Sequence, residues 1–319
     1  MKNGFSRRGF LGGIGGLVAV SALPARADDP AIFPKRGQFE RLMLGYVHIN
    51  AGATKPFSIL HISDTHLTEA YPEEPKEKQE LKRIRTQTFG GRQEEALRDS
   101  LDWAKKNVDY VLHTGDLIDW QSRANFDLVR KYYGAIGIGA MGNHEYSPSM
   151  WMGPKETHDE AYKALSADVL SAAYPFDLAF QSRVVNGVNF ITIDDVYGTV
   201  TPLQVSKFKE EVKKGLPIVL CKHVPFYTPE IWRADMKFWT RAGKRFESAA
   251  IPDPTDDYLR QTTDPTTREF IAYLKGEKLL KGILAGHLHI NIQDRFSPTA
   301  MEYVVGGNFM FHGQEVLFT

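Results

Sequence analysis

The chain has 319 residues, 42% of them hydrophobic, and its 39 basic and 39 acidic side chains leave no net charge. That length and apolar content are enough to bury one large core, and the charge balance argues against bulk nucleic-acid or polybasic membrane binding. The single cysteine, Cys221, excludes an internal disulfide framework and a four-cysteine zinc site; within Ile218-Val219-Leu220-Cys221 it reads as a small buried side chain of a strand.

Residues 1–27 read as an export signal, not as part of the fold. Ser6-Arg7-Arg8-Gly9-Phe10-Leu11 resembles the twin-arginine signature, a glycine-rich apolar run follows, and Ala25-Arg26-Ala27 fits a small-x-small cleavage site. The expected partner of this segment is the twin-arginine export machinery, and the expected location is the periplasm or the outside of a bacterial cell. The apolar run is too short for a membrane span and no cysteine lies near the cleavage site, so no stable membrane anchor is expected.

The remainder, 28–319, is expected to be one domain. One or two edge strands are predicted around 41–49, and residues 57–62 alternate as a strand ending in Ser63-Asp64-Thr65-His66. Residues 69–80 read as a solvated loop or short helix. The helical spacing of Ala96, Leu97, Leu101 and Ala104 predicts a helix over about 93–106, leading into a strand at 108–112. That strand ends in Gly115-Asp116-Leu117-Ile118-Asp119. A helix at 124–133 and a strand at 135–140 come next, closing on Met141-Gly142-Asn143-His144-Glu145. This order is the βαβ pattern of a mainly parallel sheet.

Residues 155–170 read as helical. Two strands at 178–185 and 188–193, joined by Asn186-Gly187, form a hairpin and suggest a second sheet. A helix over 203–213 leads to a strand at 217–221, which ends in Lys222-His223. Residues 224–268 are rich in proline, aromatics and charge without a steady period, and read as a cap or insertion. Phe226, Tyr227, Trp232, Phe238 and Trp239 could stack on a substrate, and Arg233, Lys237, Arg241, Lys244 and Arg245 could bind phosphate; alternatively these residues are the core and solvated face of a packed cap. A helix at 267–274 precedes Gly282-Ile283-Leu284-Ala285 and Gly286-His287-Leu288-His289, and three or four short strands complete 290–319.

Five apolar runs are thus followed at once by metal-ligand residue types: Asp64 with His66, Asp116, Asn143 with His144, His223, and His287 with His289. Carboxylates at strand C-terminal ends stand where α/β folds place their chemistry. The other histidines, His48, His61, His113, His158 and His312, are read as structural or surface residues.

The ordered set D-x-H, G-D-x-x-D, G-N-H-E, H and G-H-x-H resembles the calcineurin-like metallophosphoesterase superfamily. The resemblance implies a four-layer α/β/β/α sandwich of two mixed sheets flanked by helices. It also implies two metal ions, one held by Asp64, His66, Asp116 and His289 and the other by Asp116, Asn143, His223 and His287, with Asp116 bridging. The mixed imidazole, carboxylate and amide set suits Fe, Mn, Zn or Co. The implied activity is hydrolysis of small-molecule phosphate esters by attack of a metal-bound hydroxide. His144 is the implied group that stabilises phosphoryl oxygens or protonates the leaving oxygen, and Asp119 orients it. Glu145 is read as a supporting residue or a helix N-terminal charge.

Departures from the family patterns narrow the choice. Trp120-Gln121-Ser122 replaces the Arg-Gly of protein Ser/Thr phosphatases, and Asp119 stands where purple acid phosphatases carry tyrosine. A phosphodiesterase or broad phosphoesterase is expected, since the 3′,5′-cyclic-nucleotide phosphodiesterase type shares this motif order. A specific phosphomonoesterase is the alternative, and a metal-binding scaffold without turnover is the alternative of a different class.

Overall fold

Alternation and helical spacing become two face-to-face β-sheets with helices on their outer faces. The structure is a computed structural model that describes residues 41–152, 157–241 and 264–319. All of these belong to one compact unit, Arg36–Thr319. The predicted export signal lies outside the described residues.

The first sheet contains β1 (Met43–Ile49), β2 (Phe57–Ile62), β3 (Tyr110–His113), β4 (Ile138–Gly139) and β11 (His312–Phe318), in the order β1-β11-β2-β3-β4. Only the β11–β2 pair is antiparallel. The second sheet contains β5 (Phe180–Val185), β6 (Val188–Ile193), β7 (Ile218–Cys221), β8 (Leu280–Ala285), β9 (Ile292–Arg295) and β10 (Met301–Val304), in the order β5-β6-β7-β8-β10-β9. Its central pairs are parallel and its two outer pairs antiparallel. The expected Asn186-Gly187 hairpin closes β5 on β6, with Asn186 and Gly187 both at positive φ.

Between the sheets, Val47, Phe57, Ile59, Leu112 and Phe318 of the first pack on Val188, Phe190, Val219, Cys221 and Leu284 of the second. Cys221 is fully buried there, as its strand context predicts. The alternate residues of β2, Leu60 and Ile62, face the opposite way into a core with α2 (Gln93–Asn107) and α3 (Arg123–Ile136). On the far face of the second sheet, Ile191, Leu220 and Ile283 meet Phe208 of α6 (Pro202–Val212) and Phe270 of α8 (Pro265–Gly276). The predicted four-layer order of two mixed sheets flanked by helices is the order observed.

Local expectations fail where side-chain pattern is weakest. Residues 69–80 are not merely loop: α1 spans Lys76–Thr88 and buries little beyond Leu81, so its polar sequence carried no periodic signal. The strand expected at 135–140 shrinks to Ile138–Gly139 because α3 continues to Ile136 and stops at Gly137, which has φ 72°. The single helix expected at 155–170 is two short ones, α4 (Glu160–Ala164) and α5 (Ala167–Ala173). Within the segment read as aperiodic, Pro229–Arg241 forms α7.

Candidate metal centre

The strand ends that carry the predicted ligands break sharply. Among the described residues ten non-glycine positions have positive φ, and half are predicted ligands: Asp64 (54°), His66 (51°), Asp116 (56°), His287 (71°) and His289 (59°). Each such step costs on the order of 1–2 kcal/mol and persists only where neighbouring contacts hold it. Those contacts are present. The Asp64 and His66 N–H groups donate to the Gly115 and Asp116 carbonyls, both at 2.9 Å, and the His287 N–H donates to Asp64 Oδ2 at 2.8 Å.

The predicted ligands converge as two groups: Asp64, His66 and His289 form one, and Asp116, His223 and His287 the other, while His66 also belongs to a third cluster with Asp119 and His144. In the first, His66 Nε2 and His289 Nε2 stand 3.1 Å apart, with His289 Nε2 3.3 Å from Asp64 Oδ1. In the second, His287 Nδ1 and His223 Nε2 are 3.1 Å apart, with His223 Nε2 3.3 Å from Asp116 Oδ2. The same Asp116 Oδ2 lies 3.7 Å from His66 Nε2, so this carboxylate borders both groups. The His144 N–H donates to Asp116 Oδ1 at 2.9 Å, which draws the Asn143-His144 peptide against the second group.

Three further side chains shape the centre. Asp119 Oδ1 is 2.9 Å from both His66 Nδ1 and His144 Nδ1, so it orients His66 as well as the His144 expected of it. This leaves Nε2 of each ring on the side of Asp116, with His144 Nε2 3.9 Å from Asp116 Oδ2. Arg85 of α1 pairs with Asp119 through both Nε and Nη2, and no sequence signal pointed to it. Glu145 is fully buried and accepts from the N–H groups of Asp116 (2.9 Å), Leu117 (2.7 Å) and Gly142 (2.8 Å) and from Tyr174 Oη (3.0 Å). It is therefore a support of the Asp116 turn rather than a helix charge.

The donor set fits a pair of cations. Asp64 and Asp116 are 0% and 1% exposed, and among the described residues their only ion-pair partners are imidazoles. Buried carboxylates without Lys or Arg need some other positive charge. Burial opposes a proton on His223, yet the charges of Asp116 and Asp64 push its pKa up to about 10. Burial holds His66 down to about 4 and His287 to about 3, in the neutral form that ligates. Asp64 Oδ1 and Asn143 Oδ1 are buried and, among the described residues, have no hydrogen-bond donor. Two imidazole nitrogens each ~2.1 Å from a shared cation would lie roughly 3.0–3.4 Å apart for angles between octahedral and tetrahedral, a range that includes the 3.1 Å of both pairs.

The remaining histidines are not brought to the centre as ligands. His61 and His113 are buried beneath it, with His61 Nε2 2.9 Å from Thr114 Oγ1 and His113 Nε2 2.9 Å from Thr65 Oγ1. His48 and His158 are exposed and His312 is half-buried. In the segment read as a cap, Phe226 is buried against Phe296 at 5.3 Å, as the packed-core alternative has it rather than the substrate-stacking one. Ile231 packs on Ala285, Leu288 and Val304, with Tyr227 and Trp232 against the same cluster. Arg233 pairs with Glu230 on the exposed face of α7, and Lys237 and Phe238 are also exposed. The side chains of Trp239, Arg241, Lys244 and Arg245 lie outside the described residues.

Solved structures similar to the chain include a dimetal phosphatase from Danio rerio, at 12% identity over 80% of this chain and 88% of that one, with a TM-score of 0.44. A purple acid phosphatase from yellow lupin (Lupinus luteus) seeds matches at 12% identity over 81% of this chain and 45% of that one, with a TM-score of 0.46. A 5′-nucleotidase from Candida albicans matches at 12% identity over 87% and 48%, with a TM-score of 0.39. This chain therefore spans under half the length of the latter two. Among curated proteins none matches. Residues 57–291 match the family model for calcineurin-like phosphoesterases, a span that opens with β2 and closes just past His289. The chain belongs to the calcineurin-like phosphoesterase family, and is a hydrolase of phosphate esters.

Proposed function

We propose that the chain is a dimetal phosphodiesterase or broad phosphoesterase acting on small-molecule esters. One cation would be held by Asp64, His66, Asp116 and His289, and the other by Asp116, Asn143, His223 and His287. The observation that carries this reading is the pair of 3.1 Å imidazole contacts, each closing on a buried carboxylate, with Asp116 between them. A bound metal pair supplies Lewis acidity and an acidified water at neutral pH; the donor set admits Fe, Mn, Zn or Co.

The chain's own residues prepare that chemistry. Asp119 accepts from Nδ1 of His66 and His144, which sets both rings with Nε2 inward. His144, half-buried at the mouth of the centre, presents an Nε2 proton to a phosphoryl oxygen or to the leaving alkoxide. The Arg85 guanidinium keeps Asp119 ionised beside these rings: burial alone would raise the Asp119 pKa, but Arg85 and the two imidazoles hold it well below the usual carboxylate range.

Asp116→Asn is expected to abolish turnover of p-nitrophenyl esters and to lower the metal content of the purified protein. Retained activity would sink the mechanism, and full metal content without turnover in the wild type would favour a binding scaffold. Faster hydrolysis of bis-p-nitrophenyl phosphate than of the monoester supports the diesterase reading, and the reverse order supports a phosphomonoesterase. The domain reading is a signal at 1–27, a catalytic domain at 28–319 and a cap at 224–268. Export through the twin-arginine route is supported by Arg7-Arg8 with Phe10 and Leu11. Among the described residues no helix is long and apolar enough to cross a membrane. N-terminal sequencing of the exported protein should begin at Asp28, and loss of export in Arg7→Lys/Arg8→Lys tests the route.

A further inference from the structure

A sixth strand end carries two carboxylates that are not part of either ligand group. β6 stops at Ile193 and is followed by Asp194 and Asp195, which are 4% and 2% exposed. Asp194 Oδ2 accepts from Tyr146 Oη at 2.9 Å and pairs with Lys163 Nζ at 3.0 Å, while its Oδ1 accepts from the Val196 N–H at 2.9 Å. Tyr146 stands three residues after Asn143. Asp195 Oδ1 accepts from the N–H groups of His223 and Val224, both at 3.1 Å. Its Oδ2 pairs with Lys222 Nζ at 3.2 Å.

Lys222 is fully buried. Its ammonium lies 3.6 Å from Glu302 Oε1 and 3.6 Å from the Phe226 ring centroid, and it also donates to the Val224 carbonyl. Asp195 is thus held ion-paired while both N–H groups of the His223 turn close on its other oxygen. The two loops gripped by this pair are the ones that bring Asn143 and His223 to the second cation position.

We propose that Asp194 and Asp195 are positioning residues for the second half of the metal centre. They link the Asn143 loop of the first sheet to the His223 loop of the second from a single strand end. Neither carboxylate ligates. Asp195 sets the height and rotation of the His223 backbone, and Asp194 anchors the loop that carries Asn143 through Tyr146. The inference rests on the reading of Asn143, His223 and His287 as ligands. Outer partners of this kind are worth about 10- to 100-fold in metal affinity.

The test is a stepwise titration of the metal-stripped full chain with Co²⁺ alone, followed by visible absorption, alongside urea unfolding of the same metal-stripped proteins. In Asp195→Ala one of the two binding steps is expected to weaken about 10- to 100-fold while the other stays as in the wild type. Asp195→Asn keeps an oxygen for the two N–H groups but turns an NH₂ towards the Lys222 ammonium, and is expected to recover part of the loss. Tyr146→Phe removes only the hydroxyl that reaches Asp194, and is expected to weaken the same step by a smaller factor. Unchanged affinities in Asp195→Ala, or equal weakening of both steps, overturn the proposal. Should Asp195→Ala fail to fold, an unchanged titration in Tyr146→Phe overturns it equally. A wild-type chain that takes up a single equivalent overturns the dimetal reading itself, and is told apart from failure of the positioning role by being seen before any substitution is made.

Discussion

Glu145 gathers the N–H groups of Asp116, Leu117 and Gly142 onto one carboxylate, so the turn that presents Asp116 is built around a side chain 29 residues away. Burial, with the Asp116 charge beside it, pushes the Glu145 pKa up to about 7 although the amides favour the anion. Glu145→Gln puts an NH₂ where a second acceptor is required. It is expected to lower stability by about 1–3 kcal/mol, read from urea unfolding of the metal-stripped protein. Asp119 and Arg85 show what residue-level reading of the sequence reaches. Asp119 follows Asp116 by three positions and was visible as part of a motif. Arg85 lies 34 residues before its partner, in a polar helix with no pattern to mark it.

At the scale of elements, the ligand groups depend on abrupt strand ends, and Gly115 makes the sharpest of them possible. Its φ is 99°, and a Cβ there would stand 2.6 Å from His223 Nδ1 and 2.7 Å from the Gly142 nitrogen. Gly115→Ala should therefore destabilise the fold by more than about 1 kcal/mol. It should also displace His223, which is checked by thermal unfolding together with metal content. Elements with strong alternation, β2 and the β5–β6 hairpin, were legible nearly to the residue. β4 was not, because its two residues offer no period and the end of α3 depends on Gly137. The helix α7 was also illegible: its buried face meets residues of β8 and β10 rather than a local partner.

For the whole molecule, neither sheet contains a complete half of the proposed metal centre. Asp64, His66, Asp116 and Asn143 come from the first sheet, and His223, His287 and His289 from the second. On the proposed ligand assignment, metal binding would be linked to the packing of one sheet on the other. Chelation is expected to lower the unfolding temperature, since a ligand at 100 times its Kd contributes about 2.7 kcal/mol; an unchanged Tm after metal removal would contradict this link. A second effect of the assembled fold concerns pH. Burial raises the Glu302 pKa from 4.5 to about 7, against the pull of Lys222 and with a further push from Asp195. A carboxyl whose pKa is higher folded than unfolded favours folding fully below about 4.5 and loses that contribution as pH rises through about 7. Glu302→Gln should flatten this part of the stability profile, by on the order of a few kcal/mol between those limits. Urea unfolding of both proteins at pH 4.5, 6 and 8 measures it.

The sequence by itself determined the two-sheet class and most strands and helices, and it pointed to seven candidate ligand positions. Period and strand-end chemistry are local, and each motif fits within a few residues. The pairing of His66 with His289 and of His223 with His287 was implied by the family resemblance, and only the tertiary structure shows the contacts themselves, at 3.1 Å across sequence separations of 223 and 64 residues. It alone revealed Arg85, and the Asp194-Asp195 pair that contacts Tyr146 and the His223 turn from one strand end. A buried carboxylate shows its purpose through the N–H and ammonium groups that surround it, and these are brought together by folding, not by order along the chain.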